Sequence, residues 1–140
     1  DRVRKYFKEF KEYIESNGSP FKVQKPAPQQ WTNIALGRSN FYLSLTVNSQ
    51  SHVICINLEI AGERAKENFD KLRANYEDES KESISADLEW LRMDDRKVSM
   101  VKLSKHFDFL DESSRLDQFA WFKDYVMKYI NYFKPKVKTI

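Results

Sequence analysis

A single cysteine, Cys55, in a chain of 140 residues leaves no intramolecular disulfide and excludes the small secreted scaffolds that use disulfides in place of a core. No apolar run reaches the length of a membrane-spanning helix, and the opening DRVRKYFKEF lacks the apolar segment of a signal peptide. A cytoplasmic chain with no membrane contact is therefore expected, and the missing initiator Met suggests a domain taken from a longer chain. Glycine is scarce, with three residues. The stretch Gly37-Arg38-Ser39-Asn40 is too short to cradle phosphates and reads as a tight strand connection. A strong excess of one charge is absent too, since the formal net charge is +3. That is too little to imply nucleic acid by itself, but residues 61–90 carry five Lys or Arg against nine Asp or Glu, and residues 91–140 carry eleven against seven. The second half is thus the better place for an anionic partner.

What the chain does have is alternation. Phe41, Leu43, Leu45 and Val47 alternate with Tyr42, Ser44 and Thr46, and Ile54, Ile56, Leu58 and Ile60 alternate with Cys55, Asn57 and Glu59. Successive strand side chains point to opposite faces, so these two strands form a hairpin with one aliphatic face and one mixed face. The polar run Asn48 to His52 is its loop. An earlier strand is expected around Ile34 and Leu36, and two more at Leu88–Arg92 and Val98–Leu103, with Trp90 as their anchor.

Helices flank these strands. Val3, Tyr6, Phe7, Phe10, Tyr13 and Ile14 predict an amphipathic helix over residues 2–16, ended by Asn17 and Gly18, and Phe21 to Gln30 should be an extended connection. Ala65, Phe69, Leu72 and Tyr76 predict a second over about 62–79, continuing toward Ile84 after a break near Ser80. The third spans Ser113 to Phe133, capped by Ser114 with Asp117 and stopped by Pro135. The fold class is α+β, with an antiparallel sheet of four to five strands and three helices in the order helix-strands-helix-strands-helix. Such a one-domain chain buries about two thirds of its unfolded surface.

The order and spacing of several anchors resemble a known family. They are Tyr6 and Phe7, Trp31, the turn Leu36-Gly37-Arg38-Ser39, the strand end Leu58-Glu59-Ile60, Phe69 with Leu72, the tripeptide Leu88-Glu89-Trp90, and Phe133 with Pro135. Together they resemble the uncharacterised prokaryotic domain of unknown function DUF4268, over nearly the whole chain. The resemblance implies a small accessory module of a nucleic-acid-processing or defence protein, because such domains often lie C-terminal to restriction-type nuclease-like parts. It carries over no catalytic residue and no cofactor.

The residues themselves point away from catalysis. A restriction-type metal site needs a strand carboxylate with a lysine two positions on, whereas Glu59 is followed at that spacing by Ala61 and Glu89 by Leu91. His52 and Cys55 have ligand-pair spacing, yet His106 alone could join them, one short of a closed zinc site. No metal and no catalytic residue are expected. Candidate nucleic-acid contacts are Arg38, Arg92, Arg96, Lys97, Lys102 and Lys105. Trp121, Tyr125 and Tyr132 on the broad last helix are candidate interface residues, and Tyr42, Asn57 and Glu59 mark the mixed sheet face, a site only if that face lies open. The expected partners are nucleic acid, a second copy of the chain, or a nuclease-type domain of the same chain.

Overall fold

Alternation and helical spacing translate into elements close to those expected. In the computed structural model, which describes residues 1–25 and 31–140, helix α1 (Arg2–Ser16) precedes strands β1 (Trp31–Arg38), β2 (Phe41–Asn48) and β3 (Val53–Ile60). Helix α2 (Ala65–Ser83), strands β4 (Glu89–Leu91) and β5 (Ser99–His106), a 3-10 turn (Glu112–Ser114) and helix α3 (Arg115–Val137) follow. The strands form one antiparallel sheet in the order β1-β2-β3-β5-β4, so the fold is α+β. The Pro26–Gln30 part of the extended connection lies outside the described residues.

Register decides which side chains share a face. Leu43, Leu58, Val101 and Trp90 align across four strands, and Leu45, Ile56 and Leu103 form the next row. All of these are buried, and all three helices pack on this one side. Tyr129 of α3 donates its hydroxyl to the Val101 carbonyl at 3.1 Å, which seats the helix over the sheet centre. Phe69 of α2 and Phe133 of α3 meet Trp90 at ring separations of 5.8 and 6.1 Å. Phe10 of α1 sits 5.5 Å from both Phe119 and Phe122. Burying each such side chain contributes about 2 kcal/mol, so the aromatic stripe of α1 is part of the core rather than a surface.

Four boundaries differ from expectation, each for a local reason. Pro135 does not stop α3, which runs on to Val137. Pro135 removes one backbone bond, the one to the carbonyl of exposed Asn131, while the fully buried Val137 anchors the final turn. Ser114 makes no capping bond; Asp111 instead accepts from the Ser113 amide at 3.1 Å, capping the 3-10 turn before α3. No break occurs near Ser80, whose buried hydroxyl accepts from the Trp90 indole at 3.2 Å. β5 extends to His106 because β3 offers partners as far as Val53.

The exit from β3 depends on Gly62. Its φ of +84° suits glycine, and a Cβ there would lie 2.7 Å from the Asn40 side chain, which itself sits in a left-handed turn at φ +71°. Gly62→Ala is therefore expected to lower stability by about 2 kcal/mol, read as a melting temperature roughly 6 °C lower.

Candidate functional site: the open face of the sheet

No described helix packs on the mixed face, although its centre, at Ser44, Asn57 and Cys55, is closed to solvent. Register arranges it in rows. The middle row runs Asn33, Ser44, Asn57, Lys102 and Glu89 across β1, β2, β3, β5 and β4. One side of it is flanked by Ala35, Tyr42, Glu59, Met100 and Leu91, the other by Trp31, Thr46, Cys55 and Ser104. An antiparallel sheet commonly leaves one face to solvent, and that face is then polar. This one is polar along its centre and half-apolar around it.

At the centre, Asn57 is 3% exposed and Ser44 1% exposed. Asn57 donates its amide to the Ser44 hydroxyl at 3.2 Å, but its carbonyl oxygen, like that of Asn33, has no partner among the described residues. A screened amide oxygen without a donor costs about 1–3 kcal/mol, so this row is a local cost to stability. The Tyr42 phenol is pushed up by partial burial and by Glu59, its cross-strand neighbour. Cys55 lies on the same face with its Sγ 3.3 Å from the Ser104 hydroxyl, and Trp31 at the edge is 44% exposed. The face carries Lys102 against Glu59 and Glu89. His52 is in the β2–β3 turn, with its Nδ1 3.5 Å from the Asp108 carboxylate.

The six basic candidates are not brought together. Arg38 ends β1, and its guanidinium donates to the Ile140 main-chain oxygen. Arg92 is held by Asp70, at 2.9 and 3.2 Å, and by Asp94. The Asp70 carboxyl is in turn held below its ordinary range by the Arg92 hydrogen bond. Arg96 and Lys97 are exposed in the β4–β5 turn, Lys102 is on the open face, and Lys105 is at the opposite end of β5, beside Ile54.

The aromatic candidates also separate. Trp121 and Tyr125 are half-buried neighbours with rings 5.3 Å apart. Tyr132 is corrected: it is 8% exposed, donates to Glu79 of α2 at 2.8 Å and lies edge-on to Phe133 at 5.0 Å. It belongs to the α2–α3 packing because α2 covers the side of α3 that helical spacing alone leaves unassigned.

Asn33 escaped the sequence reading, and Ser44 was placed on the mixed face but not beside Asn57, since only the β1–β2 and β2–β3 registers align the three. Two other polar residues were invisible for the same reason. Lys66 of α2 points its ammonium at the Arg92, Met93 and Val98 carbonyls and the Ser99 hydroxyl, at 2.6 to 2.9 Å. Gln118 of α3, fully buried, accepts from the Tyr6 hydroxyl at 2.8 Å and donates to the Asp108 carbonyl at 3.0 Å and the Ser114 hydroxyl at 2.9 Å. Both hold loops in place.

The molecule is thus an α+β domain whose described helices all cover one side of its sheet. The profile of the family described as Domain of unknown function (DUF4268) matches residues 3–137, and the chain belongs to that family. No curated protein and no solved structure matches it. No described helix is long and apolar enough to cross a membrane.

Proposed function

We propose that this domain is a non-catalytic assembly module that presents the open face of its sheet to a protein partner. The observation that carries this reading is a sheet face free of any described helix that shows Trp31 and half-buried Tyr42, Thr46, Met100 and Leu91 to solvent around a closed central row. Protein suits the face better than nucleic acid does. Glu59 and Glu89 flank the one lysine, Lys102, and would repel phosphates, whereas half-buried Tyr42, Met100 and Leu91 with exposed Trp31 match the aromatic and Met content of protein interfaces.

Size separates a homodimer from another partner. Four strands of eight residues and the three-residue β4, about 4.8 Å apart, give a projected area of roughly 550 Å². A stable complex buries about 800 Å² on each side. Face-to-face pairing of two copies falls short, and a different partner that reaches past a sheet edge does not. A photo-crosslinking residue at position 42 is expected to give protein adducts in extracts of the native source, and one at Asp78, on the solvent side of α2, is not. Equal adducts at both positions, or none at 42, would defeat the reading.

A further inference from the structure

A second excess of positive charge lies outside the second half, at the start of the chain. Residues 1–25 hold seven Lys or Arg against four Asp or Glu. On α1 the aromatic stripe is buried, which turns Arg4, Lys8 and Lys11 outward at successive turns, spanning about 10 Å of helix axis. A concavity of about 560 Å³ lies along them and includes Lys25. It shares Lys11 and Glu15 with a second of about 410 Å³, which shares Phe21 and Lys22 with a third of about 320 Å³ reaching Lys134 of α3. The three adjoin at these shared residues and make a trough lined by seven basic side chains and three acidic ones.

These cations are not consumed internally. The ion pairs among the described residues involve none of the trough's basic groups. Lys8 with Glu12 and Lys11 with Glu15 have i, i+4 spacing, but with the lysine N-terminal, which is the weaker orientation. By contrast, Arg92 in the β4–β5 region is neutralised by Asp70 and Asp94, and Asp95 adjoins Arg96. The trough is the surface where an anionic polymer gains most. Its floor carries half-buried Phe21, packed 6.4 Å from Phe10, an apolar ring at which a base can rest.

We propose that this trough binds single-stranded nucleic acid, with Arg4, Lys8, Lys11, Lys22 and Lys134 meeting successive phosphates and Phe21 meeting a base. The inference is independent of the sheet-face reading, because the two surfaces share no basic residue. With five phosphates neutralised, affinity is expected to fall about 130-fold between roughly 50 and 200 mM salt.

The test is fluorescence anisotropy with labelled 20-nucleotide DNA and RNA strands and a 20-base-pair duplex. Lys8→Glu/Lys11→Glu and Lys22→Glu/Lys134→Glu, all at or near the surface, are each expected to weaken single-strand binding at least tenfold and to flatten the log–log salt slope by about 1.4. Arg96→Glu/Lys97→Glu is expected to change it less than twofold, and all variants should keep the wild-type far-ultraviolet circular dichroism. Phe21→Leu should lower single-strand affinity about fivefold with the salt slope intact. Wild-type binding that is absent at low salt, that prefers the duplex, that is lost equally in the β4–β5 variant, or that is shown only toward phosphatidylserine vesicles would overturn the proposal. None of these results bears on crosslinking at position 42.

Discussion

Lys66→Met is expected to destabilise the protein by about 3 kcal/mol, out of a total on the order of 10. Met keeps the length and the apolar stem of lysine, so packing of the first turn of α2 is largely retained. What disappears is the ammonium group inside a ring of four oxygens, three of them main-chain carbonyls of the β4–β5 connection. Ser99 still donates to the Arg92 carbonyl at 2.5 Å and the Arg96 amide to the Met93 carbonyl at 2.9 Å, but the Val98 carbonyl loses its donor. A partly buried carbonyl without a donor costs about 1–3 kcal/mol. Lys66→Arg should not rescue the loss, because a planar guanidinium cannot replace a compact three-donor ammonium in that ring. Thermal melts should show both variants roughly 6–12 °C below wild type. A Lys66→Met shift under 2 °C would mean that water satisfies the Val98 carbonyl and that the ring is incidental.

Gln118→Leu is expected to cost about 2–3 kcal/mol by the same mechanism in a drier place. The Tyr6 hydroxyl, on a residue 1% exposed, loses its acceptor, and the Asp108 carbonyl loses a donor. Burial already pushes the Tyr6 phenol far above its ordinary range, so it stays a neutral donor and cannot adapt by ionising. Removing both ends of the bond is gentler than removing one. Tyr6→Phe/Gln118→Leu should therefore be more stable than the sum of the single changes predicts, with a coupling of about 1 kcal/mol in chemical denaturation. Strict additivity would show that the bond joining α1 to α3 carries no energy of its own.

These two residues show where legibility ended. Phe41 to Val47 and Ile54 to Ile60 announce their strands because one face of each is buried and the side-chain period of a strand is two. The same alternation named Tyr42, Asn57 and Glu59 as the mixed face. It did not align Asn33 and Ser44 with Asn57, because register is a relation between strands. Lys66 reads as one more charge on an amphipathic helix, since its partners lie twenty-six to thirty-three residues further along the chain. Arg92 looked available for phosphate for the same reason, with Asp70 hidden on another element. Tyr132 fell outside the core stripe of α3 because that stripe was drawn for one neighbour, the sheet, whereas α3 also packs against α2.

The account rests on the mixed face being accessible, and thiol labelling measures that directly. In a Cys55→Ser background, Thr46→Cys and Met100→Cys occupy the open face and Leu103→Cys the helix-covered one. Labelling of the first two is expected within about tenfold of a free thiol, with the third protected by local or global opening and at least 100-fold slower, consistent with core elements opening only at large free-energy cost. Protection of positions 46 and 100 comparable to that of position 103 would contradict the account, since the mixed face would then be interior to the fold and closed to any partner.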